Sequence, residues 1–423
     1  MHIPPAYAPL TPETLPRRLG GVPAVAERLG TDTTTWTVKE VGDGNLNLVF
    51  VVSSPRATLI VKQALPFLRV VGEGWPLPLN RSFFEYHALM RHAARDPGRV
   101  PEVHHFDEDQ ALVVMQYLSP HVILRKSIVA GVVHPNLARD MGQFLARSLF
   151  RGSNLSLPPA KAKADMALFA ANAALADITE NLVFSEPYFN APLNRHTPGL
   201  AAAIARLVAD RDLKVAAQEM KHAFVAKAET LVHGDLHSGS IMVTAEDTQV
   251  IDPEFAITGP FGFDIGMLLA NFLLGFFAQS GLEPASGARD TYRDWLLSLI
   301  PDTWGTFAAE FSRLWHSERT GILYDRRLFE DQGDRLGSEQ ALDTVLHGIW
   351  QDCWGFAGVE MHRRIIGLAH VLEMESIEPP SARARAETRA LAMGRHLAVM
   401  RATLLNPSRI CDLARTIDRE EHP

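Results

Sequence analysis

The sequence has few cysteines and no excess of positive charge. Only Cys353 and Cys411 occur in 423 residues, and neither has a CxxC partner, so a disulfide framework and a thiolate metal site are both excluded. The net charge is -8 and the pI is about 6.1, which gives no general attraction to nucleic acid or anionic lipid. This composition favours a protein of the reducing cytoplasm that does not bind nucleic acid.

Long apolar runs and a targeting segment are also missing. The first 18 residues carry prolines where a signal peptide needs a cationic start and an apolar run. The most apolar stretch, residues 265–278, contains Asn271 and Gly275 and is too short to cross a hydrocarbon core of about 30 Å. We expect a buried helix there and no association with a membrane.

The chain is long enough, and apolar enough at 47%, to bury more than one hydrophobic core. Residues 34–62 alternate between β-branched runs and turns, which predicts an antiparallel meander of three strands. A helix is predicted over residues 81–94, capped by Asn80, and two further strands over 103–118. We therefore predict an α+β, bilobal chain with a small β-rich lobe over 1–118 and a larger, mostly helical lobe over 119–423.

A glycine-rich turn, residues 42–47, joins the first two predicted strands. Its backbone N–H groups can approach phosphate oxygens where side chains would clash. A dinucleotide-binding GxGxxG motif would need glycine at Asn47 and a helix afterwards, whereas a strand follows. The turn predicts either a phosphate cradle or a plain hairpin without a ligand.

Lys62 ends the third predicted strand, beneath that turn. In protein kinases a lysine on the third strand contacts the ATP phosphates and a helical glutamate holds it. Glu85, on the predicted helix, is the matching acid. The alternative for both residues is an ordinary exposed charge.

The motif His233-Gly234-Asp235-Leu236-His237 follows a short β-branched run, and Asp252 follows the next hairpin. Phosphoryl transfer needs one carboxylate to orient the attacking hydroxyl and others to hold magnesium. Asp235 suits the first role and Asp252 the second. Ser240 stands where protein kinases have a metal-binding asparagine, and we expect Glu254 to replace that ligand.

The two histidines of this motif are four residues apart, as in some zinc sites. That spacing aligns two ligands only on a helix, and Gly234 and Gly239 favour a loop. We therefore interpret His233 as a residue that hydrogen-bonds the loop backbone and fixes Asp235.

Five segments together resemble the 5-methylthioribose kinases, a family related to aminoglycoside phosphotransferases and choline kinases that shares the protein-kinase-like fold. They are GDGNLNLVF (42–50), VKQALPFLRVVGEGWPL (61–77), HGDLHSGSIMV (233–243), DPEFAITGPFGFDIG (252–266) and RRIIGLAHV (363–371). The resemblance implies the ATP- and Mg²⁺-dependent conversion of 5-methylthioribose to its 1-phosphate in methionine salvage, by a homodimer.

The resemblance also implies a role for each matching residue. Asp235 would activate the C1 hydroxyl. The pair of arginines would face the sugar or the transferring group, although neighbours on a helix point about 100° apart and need not reach one ligand. That pair is Arg363 and Arg364. The nucleotide would be bound by Asn45, Lys62, Gln116, Tyr117, Leu118, Asp252, Pro253 and Glu254. Of these residues, Asp252 and Glu254 would also hold the metal.

Two other functions stay open at this point: a kinase for another small hydroxyl acceptor, such as an aminoglycoside or a different sugar, and an inactive nucleotide-binding scaffold. Intact Lys62, Asp235, Asp252 and Glu254 disfavour the scaffold. Within residues 281–338, two stretches do not match the family pattern and are expected to form loops or insertions: GLEPASGARD (281–290) and FEDQGDRLGSEQ (329–340).

Overall fold

The computed structural model describes residues 3–42, 46–69, 72, 74–404 and 406–420. The chain divides into two compact units. The first comprises Met1–Pro120, Asn172–Leu175 and Gln249–Ala256, and the second comprises His121–Ala171, Ala176–Thr248 and Ile257–Pro423. The boundary drawn from the sequence at residue 118 stays a prediction, and no sequence pattern marked the two later segments of the first unit.

The first unit contains one antiparallel sheet of five strands, whose order in space is Thr37–Glu40, Asn47–Ser53, Thr58–Ala64, Leu112–Gln116 and Val103–Asp107. The meander predicted over residues 34–62 forms three of these strands. The elements are α1 (Leu15–Leu19), α2 (Pro23–Leu29), β1 (Thr37–Glu40), β2 (Asn47–Ser53), β3 (Thr58–Ala64), α3 (Arg81–Arg95), β4 (Val103–Asp107) and β5 (Leu112–Gln116), with a 3₁₀ turn at Thr33–Thr35.

Successive side chains on β3 point to opposite faces of this sheet. Val61 packs into a buried apolar cluster with Phe50 and with leucines of α1 and α2. Lys62, its neighbour, therefore lies on the other face. The helix predicted over 81–94 is present as α3, but Asn80 makes no side-chain capping hydrogen bond.

The second unit is mostly helical. Short antiparallel strand pairs interrupt the helices: Val122–Ile123 pairs with Ile241–Val243, and Thr230–Val232 pairs with Ile257–Gly259. The elements that follow β5 are β6 (Val122–Ile123), α4 (Leu124–Ala130), α5 (Leu137–Arg151), α6 (Pro159–Ala170), α7 (Ala173–Leu182), α8 (Ala201–Ala209), α9 (Arg211–Ala226), β7 (Thr230–Val232), β8 (Ile241–Val243), β9 (Thr248–Val250), β10 (Ile257–Gly259), α10 (Gly262–Leu282), α11 (Asp290–Glu318), α12 (Arg335–Ile366), α13 (Leu372–Glu375), α14 (Pro380–Met400) and α15 (Pro407–Arg419), with 3₁₀ turns at Glu186–Tyr188, Arg326–Leu328, Glu330–Gln332 and Arg401–Thr403.

Helix α10 confirms the buried helix predicted over residues 265–278. By length and composition it could cross a membrane, but 83% of its most apolar window is buried inside the protein. It packs along α12 and α14. These neighbours explain why α10 is apolar on all sides.

The expectation of loops is confirmed for residues 283–289 and for residues 329–334, which contain a 3₁₀ turn, and it is wrong for residues 335–340, which begin α12. The chain between the two stretches is mostly helical. Residues 290–318 form α11, a helix of 29 residues that continues through Pro301. Buried Leu296, Ile300 and Phe307 recur at helical spacing and pack α11 against α5. The proline and the polar stretches on either side hid this pattern, because tertiary packing overrides weak local signals.

Candidate active site

The buried lysine of the sheet lies among carboxylates of its own unit. Lys62 Nζ is 2.9 Å from Glu85 Oε1 of α3 and also forms an ion pair with Asp252 Oδ1. Both Lys62 and Glu85 are buried. The ion pair predicted between Lys62 and Glu85 is therefore present.

Burial and charge act in opposite directions on this lysine. Burial alone would lower the pKa of Lys62, but the charges of Asp252 and Glu85 outweigh it and hold that pKa above its ordinary value. Burial raises the pKa of Glu85, although Lys62 opposes the change. The ammonium group of Lys62 therefore stays charged at neutral pH and is available to an anionic ligand.

The backbone conformation of residues 252–256 positions the side chains of Asp252 and Glu254. Asp252 has φ of 68°, in the left-handed region that residues other than glycine rarely adopt. Pro253 is buried beside it. Asn172 Nδ2 donates to the carbonyl oxygens of Glu254 and Ala256, at 2.9 and 3.0 Å, and so fixes the path of the chain.

The carboxylate of Glu254 is held by two polar partners from the first unit. Asn47 Nδ2 donates to Glu254 Oε2 at 2.9 Å, and Arg81 Nε lies 3.5 Å from the same oxygen. Arg81 Nη2 donates in turn to Asn47 Oδ1 at 3.0 Å. Burial raises the pKa of Glu254 above its ordinary value, although the charges of Lys62 and Arg81 oppose this shift.

Three carboxylates in this unit are close enough to share one metal ion. One oxygen each of Glu85, Asp252 and Glu254 lies within 4.8 Å of the others. Carboxylate oxygens are the ligands that Mg²⁺ prefers in proteins. The donor set therefore fits magnesium, with Asp252 and Glu254 the residues that the sequence assigned to it.

The loop after β7, in the second unit, carries Asp235. Gly234 has φ of 88°, which a glycine adopts without strain. Asp264, in the first turn of α10, accepts hydrogen bonds from the backbone N–H groups of His233 at 2.6 Å and Gly234 at 3.1 Å. Ser240 Oγ donates to the carbonyl oxygen of Asp235 at 3.0 Å, so Ser240 braces the loop.

Both arginines of α12 reach the same oxygen of Asp235. Arg363 Nη2 and Arg364 Nη2 each lie 3.0 Å from Asp235 Oδ1. Glu360, one turn earlier and fully buried, accepts from Nε of both arginines. The two side chains converge on one ligand although neighbours on a helix point in different directions.

The environment of Asp235 keeps its carboxyl group ionised. Burial raises the pKa of Asp235, but the hydrogen bond from His237 and the charges of Arg364 and Arg363 outweigh burial and hold that pKa well below its usual range. Asp235 is therefore ionised at neutral pH: its carboxylate accepts hydrogen bonds and can hold a proton only transiently.

Four further residues were named from the sequence as nucleotide contacts. Asn45 falls outside the described residues. Gln116 ends β5 and its backbone N–H donates to Glu102 O at 2.8 Å. Tyr117 is exposed and Leu118 is buried. Nucleotide contacts for these four positions stay predictions.

Sequence reasoning missed four residues that position this machinery: Asn47, Arg81, Asp264 and Glu360. Glu360 carried a usable signal, because an acid three and four residues before two arginines can pair with both on a helix. Asp264 lies within a segment already matched to the family. Asn47 and Arg81 gave no local signal, because their partner Glu254 is far along the chain.

Comparison with known proteins agrees with this chemistry. Residues 37–296 match the phosphotransferase enzyme family. A methylthioribose kinase of Escherichia coli O45:K1 (strain S88 / ExPEC) is 45% identical over 94% of this chain and 95% of its own length. Methylthioribose kinase 1 of Oryza sativa subsp. japonica is 42% identical over 91% of this chain and 90% of its own. Among solved structures, a glucosamine kinase bound to glucosamine, ADP and inorganic phosphate has a TM-score of 0.44 at 16% identity, covering 96% of this chain and 88% of that one.

The chain is therefore a phosphotransferase with the kinase-like fold that the sequence predicted. Within that class it belongs to the methylthioribose kinase family, as the five motifs indicated.

Proposed function

We propose that this protein transfers the γ-phosphoryl group of ATP to the C1 hydroxyl of 5-methylthioribose, giving 5-methylthioribose 1-phosphate in methionine salvage. The observation that carries the proposal is the carboxylate of Asp235 held by Arg363 and Arg364, in a chain 45% identical to a methylthioribose kinase. An anionic acceptor flanked by cations suits a hydroxyl that attacks a phosphate.

The nucleotide side of the reaction belongs to the first unit. Lys62 would contact the phosphates of ATP, and Glu85 keeps the ammonium group in place. Asp252 and Glu254 would hold Mg²⁺, which when bound supplies positive charge to the phosphates. Asn45 and residues 116–118 would contact the rest of the nucleotide.

The acceptor side belongs to the second unit. Asp235 would accept a hydrogen bond from the C1 hydroxyl and orient its oxygen. That oxygen forms the bond to the γ-phosphorus, the bond from the γ-phosphorus to the β–γ bridging oxygen breaks, and ADP leaves. The hydroxyl proton passes to Asp235 and then to water, while the arginines stabilise the charge of the transferring group.

The deciding experiment is transfer of labelled phosphate from [γ-³²P]ATP to 5-methylthioribose, with the product identified by NMR as a C1 ester. A panel of aminoglycosides and other pentoses serves as control. We expect a higher kcat/KM for 5-methylthioribose than for any other acceptor. Equal rates with aminoglycosides would favour the other-acceptor kinase, and no product with any acceptor despite ATP binding would favour the inactive scaffold.

We also infer that the protein works as a homodimer in the cytoplasm, on the strength of the family resemblance and of its cysteine content. A mass in solution equal to that of one 46.7 kDa chain, measured by light scattering, would contradict the dimer.

A further inference from the structure

The imidazole of His237 lies beside Asp235, and its two nitrogens have different partners. The backbone N–H of Gly239 donates to His237 Nδ1 at 2.8 Å. His237 Nε2 lies 3.3 Å from Asp235 Oδ2. A backbone N–H can only donate, so Nδ1 must carry a lone pair. The neutral ring therefore holds its proton on Nε2 and donates it to Asp235.

The His237 ring packs on the backbone of its own loop. A Cβ at residue 239 would lie 2.4 Å from His237 Cε1 and 2.8 Å from Nδ1, so the ring packs directly on the Gly239 backbone. The ring is also mostly buried. Burial, with the charges of Arg364 and Arg363, lowers the pKa of His237 although Asp235 raises it. The ring is neutral at neutral pH.

The donors around Asp235 can be counted. A carboxylate offers about four lone pairs to hydrogen bonds. Among the described residues, side-chain donors to Asp235 come from Arg363 and Arg364 on Oδ1 and from His237 on Oδ2. These three donors leave one lone pair for a ligand.

We propose that His237 is a positioning residue: its Nε2–H donates to Asp235 Oδ2 and directs the remaining lone pair of Asp235 toward the acceptor hydroxyl. His237 itself takes no proton during the reaction, because Nε2 is already protonated and Nδ1 is occupied by the Gly239 N–H. The inference deepens the proposed function and rests on it for the identity of the acceptor.

Two variants test the hydrogen bonds of Nε2 and Nδ1 of His237 separately. His237→Gln can place an amide N–H near the position of Nε2 and loses the acceptor at Nδ1. His237→Asn can place an amide oxygen near the position of Nδ1 and loses the donor to Asp235. Neither amide accepts a proton at neutral pH.

We expect His237→Gln to keep kcat within about 10-fold of the wild type and His237→Asn to lose a further 10- to 100-fold, the usual worth of a hydrogen bond to a charged group. KM for ATP should change in neither variant.

Equal, large losses in both variants would show that His237 accepts the proton. A more active Asn variant, with activity following the thermal midpoint, would show a purely structural role. Either result overturns the proposal.

A second measurement does not depend on the acceptor. The ¹⁵N chemical shifts of the histidine rings in the wild-type protein without substrate report the tautomer, and the His237 signals are assigned as those missing from His237→Gln. We expect a protonated Nε2 and an unprotonated Nδ1 at pH 7. The opposite tautomer, or a charged ring, would overturn the inference even if the acceptor proved to be another sugar. Failure of the transfer assay with the expected tautomer present would count against the proposed function alone.

Discussion

Asp235 and Glu373, two acids of the second unit, have pKa values that are shifted in opposite directions. Asp235 receives hydrogen bonds from two guanidinium groups and its pKa is held low. Glu373, in α13, is fully buried, whereas Asp235 is only partly buried, and burial raises the pKa of Glu373 to about 7 although the charges of Arg364 and Arg125 lower it. The two guanidinium groups in direct contact with Asp235, which Glu373 lacks among the described hydrogen bonds, account for this difference.

Glu373 should therefore make the stability of the protein depend on pH. Its folded pKa lies above the ordinary value of 4.5, so between pH 4.5 and about 7 the folded state binds more protons than the unfolded state. The free energy of unfolding should fall as pH rises through this window, by about 3 kcal/mol in total. Glu373→Gln removes the ionisation, and its stability relative to the wild type should increase over the same window.

Urea unfolding of wild type and Glu373→Gln at several pH values between 4.5 and 8 measures this difference. Glu378→Gln, which changes an exposed carboxylate three residues after the same helix, controls for the loss of a charge. A difference between wild type and Glu373→Gln that stays constant with pH would show that Glu373 does not titrate in this range.

At the scale of elements, α12 brings three charged residues of the site to one end of a long helix. Its close approach to α10 depends on glycine: a Cβ at Gly266 of α10 would lie 2.4 Å from Cys353 O of α12. Gly358 of α12 approaches α14 in the same way, where a Cβ would lie 2.5 Å from Gly394 O. These close contacts with α10 and α14 determine the position of α12, which carries Arg363 and Arg364.

Gly266→Ala should destabilise the protein by about 1–3 kcal/mol, the usual cost of overpacking, because backbone atoms of α12 must move. The matched control is Gly348→Ala, on the same α12, where a Cβ meets nothing within 4 Å. That change should stabilise by up to about 1 kcal/mol, since alanine is the better helix former. Thermal unfolding of both variants measures the contrast, and similar midpoints for the two would mean that the helices move apart at no cost.

The elements of the first unit were predictable because their signals are local. Alternating β-branched runs gave β2 and β3, and the order of Lys62 before Glu85 gave their ion pair. The charge network of α12 was not predictable as a whole, because Glu360 signals its arginines locally but Asp235 lies more than 120 residues earlier. Helix α11 was missed because its apolar residues are spread over 29 positions around a proline. Secondary structure with a regular local pattern can be predicted from this sequence, whereas contacts between residues more than 100 positions apart cannot.

At the scale of the whole molecule, the two kinds of functional group fall in different compact units. Lys62, Glu85, Asp252 and Glu254 belong to the first, and Asp235 belongs to the second with its arginines. Segment Gln249–Ala256 joins the first unit although it follows the Asp235 loop in sequence, because Asp252 and Glu254 pair with Lys62 and Asn47 there. Chain order therefore does not separate the nucleotide groups from the acceptor groups, but spatial grouping does.

This grouping predicts that nucleotide binding and turnover can be lost separately. Asp235→Asn keeps the size of the side chain and removes the negative charge, so kcat should fall by about 10²–10⁴-fold with unchanged affinity for ADP and Mg²⁺. Lys62→Met removes the cation that would meet the phosphates, so calorimetry should show ADP binding at least about 10-fold weaker, the worth of one charge-assisted contact. Circular dichroism checks that both variants fold. If Asp235→Asn weakened ADP binding as much as Lys62→Met does, a residue of the second unit would contribute equally to nucleotide binding. The assignment of nucleotide binding to the first unit alone would then be wrong.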